Sequence, residues 1–556
     1  MRRAMILIVA VSLLSGPALV SAEAPAARPA ATMAGAVLIP DTYGGFIGLA
    51  AGADLPQNLA TLRAFTSAPE DPSEVIQEII DAIFTPGAVS YASDIAPWLG
   101  ADIAIGANSE DDFVTLVATA NTALSDAFVQ KLIVYLSGQG IQLTPAIHEG
   151  VIIYEGQTVS VATAPNYLIY GSPAGVRAVI DVSAGKAKPL SETMGFKQAA
   201  SGLSTSALAT AYLSGEALKA FFADLGVDVS PLLSDVSVEG MGMSLAMEAS
   251  SIRLDLALGW SRQVDGPVLS TTTAGSAAAQ ALPQDALGFF TSYDVRWPVR
   301  LGLALLAAQT YFQAVSDAIL NNQPVPELPS VAVLQTQTNG FLALANLTLS
   351  QQLGATINIE EDVLKWMSGE YAVGFLRNPS GLYGDPRIPF DIAALVQVID
   401  RNATLNTVEI LSRFLASQLQ LTPVLVNIGG YDLRAVADPA TGGNLLVFGV
   451  VGDFLVMATG NGIEQLVNAA SGATPALASN ATWQARAATV DAATEGLFYF
   501  AVADFVDYAR ASLTGDLLAE FEAFNAPGLE PYQYVLAAAD MRDGGLWTLS
   551  VLIEKK

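Results

Sequence analysis

Two hydrophobic periods alternate along this chain, and the whole alternation is written twice. Short apolar, partly aromatic runs at 167–170 and 454–457 read as buried strands. After the first, Gly171-Ser172-Pro173 supplies a turn, a helix cap and a proline suited to the first helical position. Val176, Val179 and Ile180 then form a helical stripe that stops before Gly185. After the second run, Thr459 takes the cap position, and Ile463, Leu466 and Val467 form the stripe that ends at Gly472. Strands follow at 209–213 and 497–500, then helices at 216–225 and 505–513. Upstream, strands at 113–120 and 392–399 precede amphipathic helices at 123–136 and 405–419. Each copy closes on period-two alternation: Ile252, Leu254, Leu256 and Leu258 in one, Trp547, Leu549, Val551 and Ile553 in the other. Such alternation predicts an antiparallel sheet with one buried face and one wet face, the leucine side being the buried one.

The copies can be aligned position by position. Gly45-Phe46 matches Gly288-Phe289 at an offset of 243, and Asp94 to Leu99 matches Asp362 to Met367 at 268. From Asn166/Asp453 the offset is 287 and stays so through Gly175/Gly462, Gly185/Gly472, Phe196/Trp483, Tyr212/Tyr499 and Phe221/Tyr508. These patterns predict an α+β fold built by internal duplication, two similar lobes of mostly antiparallel sheet with packed helices. The expected boundaries are a signal peptide at 1–24, a flexible leader at 25–37, lobe one at 38–262, a linker at 263–281 and lobe two at 282–556. The growth in offset places an insertion in lobe two near 294–359, with a long apolar helix expected at 299–320.

The N-terminus carries Arg2 and Arg3, a short apolar core from Met5 to Leu14, and small residues suited to cleavage after Ala22 or Ala24. It predicts export to an extracytoplasmic location and no transmembrane span after cleavage. There is no cysteine, so neither disulfides nor thiolate metal sites support the cores. With 53 Asp and Glu against 25 Lys and Arg, nucleic acid is excluded as a natural partner. Yet only 14% of residues are charged and the mean hydropathy is +0.43, so large buried faces or an apolar interaction surface are expected.

Candidate chemistry is sparse. His148 is the single histidine and sits where a turn is expected; without cysteine or a Ser-x-x-Lys motif, nucleophilic catalysis has no obvious machinery. One motif recurs: Asp94-x-x-x-Trp98-x-x-x-Asp102-x-Ala104-x-Gly106 and Asp362-x-x-x-Trp366-x-x-x-Glu370-x-Ala372-x-Gly374. Asp94, Asp102, Asp362 and Glu370 are the carboxylates that could hold a divalent cation or serve a hydrolase acting on envelope polymer. The simpler reading makes them structural, with Asp94 and Asp362 capping a turn, Trp98 and Trp366 sealing the lobe, and Asp102 and Glu370 opening an outward-facing strand. No catalytic, cofactor-binding or metal residue is assigned, and Trp98, Gly106, Trp366 and Gly374 are taken as structural.

The Trp98 motif, the opening Pro40-Asp-Thr-Tyr-Gly-Gly-Phe46 and the tandem plan resemble a bacterial extracytoplasmic family known as domain of unknown function 3352. The resemblance implies secretion and brings no catalytic residues. A non-enzymatic envelope protein of binding or scaffold type is expected, using a cleft between the lobes or an apolar surface to take an apolar ligand or an envelope protein.

Overall fold

The computed structural model describes residues 31–66, 71–109, 111–164, 166–224, 236–248, 251–262, 277–296, 299, 331–418, 420–437, 443–489, 494, 496–542 and 545–556. The fold is α+β with antiparallel strand pairing throughout the described registers. The signal-peptide reading and nearly all of the 299–320 helix lie outside the described residues. The chain divides into two compact units, residues 1–225, 235–263 and 542–556 in the first and 226–234 and 264–541 in the second.

In the first unit, β1 (Gly45–Ala50) lies between β2 (Leu99–Ala107) and β8 (Ala207–Ser214). On one side β2 continues to β3 (Phe113–Thr119), which pairs with β7 (Tyr167–Gly171). The hairpin β4–β5 (Thr144–His148, Val151–Glu155) and β6 (Ser160–Ala164) extend that edge. On the other side β8 pairs with β9 (Val236–Glu248), and β9 with β10 (Ser251–Arg262). The strand beyond β10 is β20 (Leu546–Lys555), with Leu256 opposite Leu549. The strand expected to close the second lobe therefore completes the first.

The second unit repeats the pairing order. Here β11 (Gly288–Tyr293) lies between β12 (Glu370–Arg377) and β18 (Gly496–Phe500). Next, β12 continues to β13 (Phe390–Gln397), which pairs with β17 (Phe454–Ala458). A hairpin β14–β15 (Val424–Ile428, Tyr431–Ala437) and β16 (Asn444–Val451) occupy the corresponding edge, and β19 (Tyr532–Arg542) pairs with β18.

Ser172 caps helix Pro173–Ser183 as its sequence predicts, its hydroxyl accepting from the Gly175 N–H at 2.9 Å. Thr459 does not do the same. Its hydroxyl accepts from the Ile392 N–H and turns toward Asp391, and the helix Gly462–Ala470 starts three residues later. Gly185 and Gly472 end their helices at φ +73° and +75°, a conformation open to glycine without strain. Residues 31–37, read as part of a flexible leader, form a 3₁₀ helix (Ala31–Val37) locked into the core, with Ala36 fully buried and Thr32 Oγ1 2.8 Å from Thr210 Oγ1. The last residues of the expected linker likewise form a buried helical turn, Ala278–Ala281. Several elements had no sequence expectation, among them the helix pair Leu55–Thr66 and Pro72–Ile83 and the uncharged helix Val331–Leu353.

Candidate functional site

The repeated motif builds one local device twice. Asp94 Oδ2 accepts from the Ser90 N–H at 2.8 Å while the Ser90 hydroxyl faces the Ser93 N–H, a reciprocal cap on the turn Tyr91–Ile95. Asp362 Oδ2 accepts from the Asn358 N–H at 2.8 Å while Asn358 Oδ1 accepts from Glu360 at 3.0 Å, capping Ile359–Leu364. Lys131 donates to Asp94 at 2.6 Å and, with the Ser90 N–H, holds that carboxyl below the ordinary carboxylate value. Trp98 and Trp366 are buried, their indole N–H groups donating to the Asp94 carbonyl and to Thr407 Oγ1.

The second acid of the motif points inward, not outward. Asp102 is 4% exposed and Glu370 is 1% exposed. The Tyr167 hydroxyl donates to Asp102 at 3.2 Å, and the Gly35 N–H also donates to it; burial nonetheless pushes its pKa up. Glu370 accepts from the N–H groups of Ala277 and Ala278, at 3.1 and 2.8 Å, and from Thr291 Oγ1 at 3.2 Å. Gly35 and Ala278 correspond at the offset of 243. Each buried acid therefore pins the helical turn that precedes the first strand of its unit. Gly106 and Gly374 make room for the same turn: a Cβ there would stand 2.8 Å from Ile39 Cγ2 and 2.6 Å from Leu282 Cδ2. Burial and internal donors leave these acids little capacity to hold a cation.

Among the described residues, the one group of three ligating side chains within mutual reach is His148, Glu149 and Asp181, which includes none of the four carboxylates singled out above. His148 is not a bare turn residue. Its Nε2 lies 2.8 Å from Asp181 Oδ1, and Arg177 Nη1 lies 3.3 Å from its Nδ1. Since guanidinium only donates, Nδ1 accepts and the ring proton resides on Nε2, donated to Asp181. A metal on Nε2 would turn Nδ1–H against Arg177, whereas ligating histidines donate that N–H to an acceptor. Lys186 already pairs with Glu149 at 2.7 Å, and Arg177 forks onto Glu155 at 2.7 and 2.9 Å. The cluster locks hairpin β4–β5 to helix Pro173–Ser183. The helical spacing of Arg177 and Asp181 was the sequence signal for it.

A further unassigned feature is apolar. On β9, β10 and β20 the leucine-rich side is the partly exposed one: Met241, Met243, Leu245, Leu254, Leu256, Leu258, Trp547, Leu549 and Val551 are each half-buried. They form three rows by register, for example Met243–Leu256–Leu549 and Leu245–Leu254–Val551. The opposite side, which meets the helix Met194–Ser201, carries small residues instead. A Cβ on Gly242 would meet Leu203 Cδ1 at 2.9 Å and Ala199 Cβ at 3.1 Å, and one on Gly202 would meet Ala257 Cβ at 2.8 Å. Close helix packing thus selects Gly and Ala for the core side and leaves the bulky side chains for the other. Asp255, also on the core side, is satisfied there by Ser244 Oγ at 2.9 Å, Ser550 Oγ at 2.6 Å and Arg253 Nε at 2.8 Å. In the second unit the corresponding side of β11 presents Phe290, 39% exposed, between Val373 and Phe498.

Residues 4–552 match a family described as a protein of unknown function (DUF3352), and the chain belongs to that family. No curated protein matches. Among solved structures the chain is similar to crystal form I of TP0453, with TM-score 0.25 and 10% identity over 43% of this chain and 82% of that one. Crystal form III of the same protein gives 0.24 and 12%, over 44% and 83%.

Proposed function

We propose that this family member is a duplicated, exported cell-envelope protein that works by binding, without catalysis, and takes an apolar ligand on the partly exposed face of β9, β10 and β20. The face carries the argument. Three strands place nine bulky apolar side chains side by side, and no described charged side chain stands among those rows. Contiguous apolar surface of this kind marks ligand and partner sites. Methionines at 241 and 243 suit a ligand of variable shape, since their side chains repack easily.

The duplication reading draws support from matched details beyond the shared pairing order. The Leu190 N–H donates to the Ile39 carbonyl at 2.7 Å as the Leu477 N–H does to Leu282 at 2.8 Å. The Asp41 N–H donates to Lys188 as Gln284 does to Pro475, both at 2.9 Å. The binding reading over a hydrolase draws support from the acids, which have internal donors at matched positions in both units. Among the described residues no helix is long and apolar enough to cross a membrane. The N-terminal sequence supports export.

The test is native mass spectrometry of the protein isolated gently from its own envelope fraction, against a denatured run. An adduct of apolar character should be lost on denaturation and should be depleted in a Leu254→Ser/Leu256→Ser variant that keeps its far-UV signal. A bare mass, or an adduct unaffected by the double substitution, overturns the assignment.

A further inference from the structure

The second unit holds a cavity of about 610 Å³ lined mainly by polar residues, within the usual size range for small-molecule sites. Its lining includes Asp285, Arg377, Gln465, Asn468, Thr474 and Asp504. Compared through the register that links the copies, three of these positions have no polar counterpart. At the offset of 287, Gln465, Thr474 and Asp504 stand where the first copy has Ala178, Ala187 and Ala217. Three methyl groups have become an amide, a hydroxyl and a carboxylate around one depression. Scaffold needs act on both copies alike, so polar groups confined to one copy point to a ligand. This comparison rests on the duplication reading; the binding test below does not.

The groups also indicate what the ligand is. Among the described residues, the side chains of Asn468, Thr474 and Asp504 make no hydrogen bond, so an amide, a hydroxyl and a carboxylate are free to donate and accept within one cavity. Arg377 lies over the Tyr508 ring at 5.2 Å, its Nε donating to the Asp285 carbonyl at 2.9 Å and standing 3.9 Å from the Asp285 carboxylate. Its charge is thus already matched, and the second carboxylate, Asp504, disfavours an anion. Asp285 and Asp504 take part in no ligating group of three acids or histidines among the described residues, which leaves a metal ion without a cage. Amides and acids on an open polar wall suit vicinal hydroxyls, each of which donates and accepts at once. We propose that this cavity binds a neutral, hydroxyl-rich saccharide.

The experiment titrates the full chain with a panel of neutral tetrasaccharides (chitotetraose, cellotetraose, maltotetraose and mannotetraose) by saturation-transfer difference NMR and calorimetry. At least one should bind saturably, and a Thr474→Ala/Asp504→Ala variant, which installs the first copy's residues, should bind it at least about tenfold more weakly, as the loss of one or two hydrogen bonds predicts. Neither side chain carries a hydrogen bond among the described residues, so the variant should melt with the parent. The Leu254→Ser/Leu256→Ser variant should bind the saccharide unchanged, which separates this site from the apolar face. No binding by any of the four, or binding that survives Thr474→Ala/Asp504→Ala, overturns the assignment.

Discussion

Replacing Glu370 with alanine decides between a structural acid and a cation ligand. In the folded protein its carboxylate is 1% exposed and accepts from two backbone N–H groups and one hydroxyl. Alanine strands the Ala277 and Ala278 N–H groups, the second of them buried, whereas the Thr291 hydroxyl keeps the Tyr371 carbonyl at 2.8 Å. Each unsatisfied buried donor costs about 1–3 kcal/mol, and removing the buried charge returns part of that. A net loss of roughly 3 kcal/mol is expected, and in a unit of this size it corresponds to a fall of about 5 °C in the transition. Glutamine should fall between the two, because its carbonyl can accept from one of the Ala277 and Ala278 N–H groups while its NH₂ faces the other. Differential scanning calorimetry is the suitable assay, since two compact units can melt as separate transitions. The reasoning fails if Glu370→Ala costs less than about 1 kcal/mol. It fails equally if millimolar calcium stabilises the parent and the substitution abolishes that gain.

Two further outcomes follow from the same geometry. Gly106→Ala should cost about 1–3 kcal/mol, because its new methyl meets both Ile39 and Tyr43 at 2.8 Å; Gly374→Ala should cost less, since the close contact is the tip of Leu282 alone, and urea midpoints compare them directly. Burial raises the folded pKa of Asp102 and of Asp391. The stability they add is complete below the ordinary carboxylate value and disappears as pH rises through the raised folded values. Asp94, Glu155 and Glu522 are held low by Lys131, Arg177 and Arg510, so their contributions are present above the ordinary value and disappear as pH falls through the depressed ones. The urea midpoint should therefore rise as pH falls through the raised values and drop again below the ordinary carboxylate value, with the rise shallower in Asp102→Asn.

Local rules carried the sequence reading a long way. Gly-Ser-Pro at 171–173 gave the cap and the helix start, and the apolar runs became β7 and β17, because these signals act within a few residues. What escaped needed distant partners. Period two along 252–258 says that the sides of the strand differ, but not which one a helix will cover; the glycines at 202, 242 and 259 and Ala257 decided that. Thr459 has cap chemistry, yet Asp391, far away in sequence, claims its hydroxyl. The inward turn of Asp102 and Glu370 depends on residues 35 and 278, which the chain places behind them only after folding. For the sites, the recurring motif drew attention to the scaffold, while the cavity of the second unit is lined by polar residues that no single motif marks.

The placement of β20 bears on the order in which the protein can be made. Residues 542–556 belong to the first unit and pair along the length of β10, from Ser251–Glu554 to Gly259–Leu546. While the polypeptide is being synthesised, the first unit emerges early and cannot finish. Its β10 waits as a bare strand edge, with an apolar flank, until nearly three hundred further residues have passed. Domains made early normally fold early; here the sequel must arrive before the opening is complete. Exposed edges of this kind are what holding chaperones protect, so the demand for such help should fall on the first half of the chain and end with the delivery of its last strand.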